Sequence, residues 1–141
     1  MLFDYFNNGY LYKEDWNCSE HMVAGANYAY KLGLDEKAIK LAAGFGGGMA
    51  IGNICGALTG AIMVLGVLFV KERAHESEKI KELTKELFER YKQSMGDIDC
   101  LPLKDKYRTE QIRCRIVILE AARILDDIIA RELPGFVAKL G

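Results

Sequence analysis

The chain has 141 residues, room for one domain and too little for two ordinary ones. Half of it is apolar and 28% is charged, which excludes wholesale disorder. Nineteen Lys and Arg against twenty Asp and Glu leave a net charge of −1, so neither a nucleic acid nor an anionic membrane surface finds an electrostatic footprint.

Residues Met1 to Asn8 carry no basic n-region and no long apolar stretch, so a secretory signal is not expected and a cytoplasmic location is. Thiols stay reduced there, which directs four cysteines towards redox chemistry or metal binding. The plainer reading makes them small buried hydrophobes.

Five helices and no strand are predicted, an all-α bundle forming one domain over residues 1–141. The first runs from about Trp16 to Lys31, with Asp15 as N-cap and Gly33 as C-cap. Its apolar stripe is Cys18, Met22, Ala26 and Ala29. Asp35 caps a short second helix over about Glu36 to Ala43. A glycine-rich stretch, Gly44-Phe45-Gly46-Gly47-Gly48, leads through Gly52 to Asn53, the expected cap of a third helix reaching about Arg73.

The fourth helix, about Glu76 to Met95, is charged and amphipathic, with Ile80, Leu83, Leu87, Tyr91 and Met95 on its dry side and Gly96 closing it. Glu86 and Arg90 support it at i,i+4. Asp97 to Pro102 is expected to be a link, because proline does not continue a helix. The fifth starts near Thr109 and carries Cys114, Val117, Ile118, Ala121, Leu125, Ile128 and Ile129 on one stripe. Pro134-Gly135-Phe136 ends it.

Leu41 to Val70 contains no charge, and the 22 residues from Met49 to Val70 could cross a hydrocarbon core of about 30 Å. Gly52, Gly56 and Gly60 even keep the GxxxG spacing of transmembrane packing. Against a span stand lysines at both ends (Lys40, Lys71) and a glycine-rich backbone whose amides lipid cannot satisfy. Three other helices also have apolar stripes that need a partner. A buried central helix is therefore expected, with Gly56, Gly60 and Gly66 marking close approaches that justify about 1 kcal/mol each against alanine.

Cys18, Cys55, Cys100 and Cys114 form no CxxC pair, so zinc-ribbon and thioredoxin motifs are excluded. Chain direction in an up-and-down bundle nevertheless brings all four to one end. Cys55 falls near a helix start, where free amides and the dipole lower a thiol's pKa, and Gly46, Gly47 and Gly48 could add the amides of an anion nest. A tight crossover loop is the plainer reading of these glycines.

Cys55-Gly56-Ala57-Leu58-Thr59-Gly60, with Cys18, Cys100 and Cys114 outlying, resembles the four-cysteine CGAxxG family of redox-active proteins. Asn17-Cys18 and the run Gly44 to Gly48 are similar to that family as well, and the likeness covers nearly the whole chain. The family is related to a domain of split-Soret cytochrome c, which implies an iron–sulfur option, a [2Fe–2S] cluster. There is no CxxCH haem site, so the cytochrome function does not carry over.

Two redox readings follow. Cys18, Cys55, Cys100 and Cys114 hold a small iron–sulfur centre tuned by Gly46, Gly47, Gly48 and Gly56. Alternatively Cys55 is a low-pKa thiol resolved by a neighbouring cysteine. The alternatives from other classes are a structural zinc site in an interaction protein and a membrane component spanning through 49–70. The expected partner is an unidentified redox protein or substrate, with a second copy of the chain also open.

Gly44 to Gly48 does not complete GxGxxG and follows no strand, which argues against a dinucleotide. His21 follows Cys18 on the same helical face as a possible substitute ligand. Its plainer reading is a capping or surface group, as Glu20 is a solvated carboxylate. His75 is assigned no role, and Trp16 and Tyr10 are read as packing residues.

Overall fold

Gly56–Phe69 (α4) has no polar face, and the rest of the chain is arranged around it. The computed structural model describes residues 1–9 and 15–141, so the reading of Tyr10 lies outside the described residues. The only polar side chain of α4, Thr59, folds its hydroxyl back to the Gly56 carbonyl at 3.1 Å. Ala57, Leu58, Ala61 and Leu65 are fully buried. The helix packs against α2 (Cys18–Ala29), α5 (Glu78–Met95) and α7 (Arg115–Glu132), each through its predicted apolar stripe. The fold is all-α, with only isolated β-bridges among the described residues.

At 14 residues, α4 is shorter than the uncharged run suggests and spans only about 21 Å. Among the described residues no helix is long and apolar enough to cross a membrane. The chain breaks instead at a 3₁₀ turn over Ala43–Phe45 and at a left-handed turn after it. There Gly47, Gly48, Met49 and Ala50 all have φ between 61° and 65°. The positive φ of Met49 and Ala50 costs of order 1–3 kcal/mol each.

Local chemistry moves several boundaries. Asn17, not Asp15, caps α2, in a reciprocal box with Glu20: Glu20 N–H donates to Asn17 Oδ1 at 2.9 Å, and Asn17 N–H to Glu20 Oε1 at 3.0 Å. Asn53 is not the cap of α4, because its carbonyl accepts the Cys100 amide at 2.6 Å; Cys55 takes that place. Ser77 and Gly96 bound α5.

Three short helices were not predicted. In α6 (Cys100–Tyr107), Pro102 sits in the first turn, where its missing N–H is no loss. Residues Thr109 to Cys114 form a turn ahead of α7 instead of its first turns: Arg113 N–H donates to the Thr109 carbonyl at 2.7 Å. Beyond α7, Pro134 opens a further helix, α8 (Pro134–Ala138). The remaining α3 (Glu36–Lys40) is capped by Asp35 as expected.

The N-terminal α1 (Leu2–Asn7) is too short to form alone. Asp126 of α7 holds it, accepting from the amides of Leu2 at 3.0 Å and Phe3 at 2.9 Å, and from the Tyr30 hydroxyl at 2.6 Å. Asp126→Ala leaves three donors without an acceptor and should cost about 2 kcal/mol. Urea unfolding checks this, with Asp126→Asn, which keeps one acceptor, falling between the two.

Candidate functional site

Each cysteine stands at the start of a helix. Cys18 and Cys100 are the first residues of α2 and α6, while Cys55 and Cys114 are the N-caps of α4 and α7. The positive ends of four helices, each with unsatisfied amides, are thereby turned to one place. An antiparallel bridge fixes two of the starts against each other. Cys55 N–H donates to the Ile98 carbonyl at 2.8 Å and Cys100 N–H to that of Asn53, around the pairing of Ile54 with Asp99. Asp97 shapes the approach by accepting from the amides of Ile98 and Asp99.

All four cysteines, as free thiols, line one cavity of about 20 Å³, room for about one water molecule. Leu103, Tyr107 and Val117 wall it, and the exposed Lys104, Arg108 and Arg113 complete its lining. Outside it a groove of about 510 Å³ is reached by Cys18, Cys100 and Cys114 but not by Cys55. Cys55 is the innermost thiol, 3% exposed.

The glycines serve this packing in different ways. A Cβ on Gly56 would run into the Cys18 sulfur, so that glycine makes room for Cys18 against the start of α4. The Gly47 amide, aimed by its left-handed backbone, and the Ser19 amide donate towards the Cys18 sulfur. Gly46 lies against the Asn17 side chain and Gly48 against the Asn53 backbone, both as close-packing positions.

The thiols differ sharply in acidity. Cys114 is lowered to about 7, first by the neighbouring Cys18 thiol acting as donor and then by Arg108, with burial opposing. Cys18 goes the other way, raised by its Cys114 neighbour and by burial.

Cys55 is not the low-pKa thiol expected from its place at a helix start. Burial first, and then the neighbouring Cys18 sulfur, push it up to about 11, outweighing the amides of Ala57 and Leu58 and the Tyr91 hydroxyl at 3.6 Å. Its amides are present as predicted, but desolvation is the larger effect. Burial likewise raises Cys100, with Lys104 and Arg108 opposing it.

His21 lines the groove with its ring 5% exposed, and Nδ1–H donates to the Trp16 carbonyl at 3.0 Å. Burial brings it down to about 4, so it is neutral at pH 7. In chemistry, four thiols suit a zinc ion or an iron–sulfur cluster. In spacing they form no ready cage: among the described residues no group of three or more His, Cys, Asp or Glu side chains could hold a metal ion.

The described residues thus form an all-α bundle with four free cysteines on one cavity. The chain belongs to the family described as "Putative redox-active protein (C_GCAxxG_C_C)", whose profile matches residues 16–128. That label writes its central motif G-C-A-x-x-G, whereas here Cys55 precedes Gly56 and the motif reads C-G-A-x-x-G. No curated protein and no solved structure matches the chain.

Proposed function

We propose that this protein is a thiol–disulfide oxidoreductase in which Cys114 attacks and Cys18 resolves. The observation that carries the reading is the placement of Cys18 and Cys114, both free thiols, on the small cavity and on the open groove beside it, with Cys55 enclosed behind them; the lowering of Cys114 by its neighbours Cys18 and Arg108 supports it.

The Cys114 thiolate attacks one sulfur of a substrate disulfide. The new S–S bond joins Cys114 to half of the substrate, and the other half leaves as a thiolate. That thiolate takes the Cys18 proton, and Cys18 then attacks the Cys114 sulfur and expels the second half. Two protein thiols are oxidised to one disulfide, and one substrate disulfide is reduced to two thiols. Cys55 and Cys100 stay reduced in this cycle.

A [2Fe–2S] centre on the same four cysteines is the second reading, favoured by the fact that four thiols, and not two, face one cavity. The test takes anaerobically purified protein, its ultraviolet–visible spectrum, its iron, sulfide and zinc content, and its thiol count before and after one equivalent of disulfide. The dithiol reading expects a colourless protein that loses two thiols and yields a Cys18–Cys114 linked peptide. Visible charge-transfer bands with stoichiometric iron and sulfide would replace it with the cluster reading. Stoichiometric zinc and no redox response would make the site structural.

A further inference from the structure

The walls of the thiol cavity include three basic side chains, Lys104, Arg108 and Arg113, and no acidic one. The same three line the groove outside, so they occupy the passage between solvent and the sulfurs. Lys104 and Arg108 are one helical turn apart at the end of α6, both exposed, and neither forms an ion pair among the described residues. Arg113 also lines the passage, on a backbone held at φ 49° by the Thr109 turn. A non-glycine residue in that region marks a position the surrounding structure imposes. The groove's acids, Asp15 and Glu20, line it without reaching the cavity, and Glu20 is occupied in the α2 cap.

From this arrangement we infer that the substrate is a small disulfide carrying negative charge, carboxylates above all, which Lys104 and Arg108 draw onto Cys114. The inference rests on the thiol–disulfide reading and names its substrate class. A free substrate fits better than a protein disulfide because the groove, about 510 Å³, has the size of a small-molecule site and the sulfurs lie at its inner end. The cations also face the thiolate that leaves in the first step, so they favour both the approach of the anionic substrate and the charge released from it.

The test compares second-order oxidation rates of the reduced protein by three disulfides: oxidised glutathione (anionic), 2-hydroxyethyl disulfide (neutral) and cystamine (cationic). The wild type should prefer the anionic over the cationic probe by about fivefold beyond their intrinsic reactivity with a free thiol, and salt should reduce that preference. Lys104→Gln with Arg108→Gln should bring the corrected ratio close to one. Because Arg108 also acts on the Cys114 thiol, a loss shared by all three probes reports thiolate fraction, and only the ratio reports recognition.

Equal corrected rates in the wild type, or a ratio unchanged in the double variant, would overturn the inference while leaving the thiol–disulfide reading intact. If the neutral probe also fails to oxidise two thiols, the function itself is wrong and the substrate assignment falls with it. Far-ultraviolet circular dichroism establishes that the double variant is folded.

Discussion

Cys114→Ser should slow alkylation of the native, reduced protein at pH 7 by about tenfold, while Cys55→Ser leaves the rate nearly unchanged. At that pH about half of Cys114 is thiolate, given its pKa of about 7, whereas a thiol at about 11 has roughly one part in ten thousand. Intrinsic nucleophilicity runs the other way. With a Brønsted slope of about 0.4–0.5, four pKa units return a factor of about 40–100 to the more basic sulfur. The thiolate fraction still wins by about 50-fold, and burial of Cys55 widens the gap.

The residual rate in Cys114→Ser comes from Cys100, which is raised but less enclosed than Cys55. The pH profile gives the sign. Wild-type reactivity should show a step through pH 7 followed by the further rise that Cys100 contributes, while Cys114→Ser should lack the step and keep only that rise. A profile whose step near pH 7 disappears in Cys55→Ser instead would return the nucleophile to α4 and sink the assignment of Cys114.

Chain direction and helical period were enough to bring four cysteines to one end of the bundle. That logic needs only the sense in which each helix runs, and Leu83, Leu87, Tyr91 and Met95 show how plainly the apolar stripes declare themselves. What could not be read was the rank order of the thiols. Cys55 does meet the amides of a helix start, but its depth below Cys18, Cys100 and Cys114 depends on which side chains close over it. The meeting of Cys18 and Cys114 at one cavity likewise joins residues 96 positions apart and has no local signal.

The missed helices have different physical reasons. Six residues do not nucleate α1 without the Asp126 carboxylate, and Pro102 signals a break only if its place in the first turn is unknown. The cations beside the thiols do have a signal in the sequence: Lys104 and Arg108 keep the i,i+4 spacing of a helix shortly after Cys100, but Pro102 between them and Cys100 reads as a break.

Two alanine substitutions in the same helix should have opposite effects. Gly66→Ala places its Cβ in open space, so it should gain the helix propensity of alanine, about 1 kcal/mol, and raise Tm by about 3–5 °C with thiol chemistry unchanged. Gly66 is thus the one glycine of Gly56, Gly60 and Gly66 that marks no close helix approach. Gly56→Ala directs its Cβ into the Cys18 sulfur, with the Phe45 carbonyl oxygen at 3.2 Å and Gly46 Cα at 3.3 Å closing the way around it.

The sulfur can yield by rotating about its short side chain, but it then leaves the Gly47 amide and the Cys114 thiolate. The alternative is a shift of the α4 start, which the Cys55–Ile98 hydrogen bond resists. Overpacking of this kind costs about 1–3 kcal/mol. Displacing the resolving sulfur by about 1 Å should slow closure of the Cys18–Cys114 disulfide by up to about 100-fold. Stopped-flow thiol release resolves that second step from the first attack, which slows by a smaller factor as Cys114 loses the Cys18 neighbour that lowers it. If Gly56→Ala is as stable as Gly66→Ala and closes its disulfide at the wild-type rate, Cys18 is not seated against α4 and the resolving role passes to another cysteine.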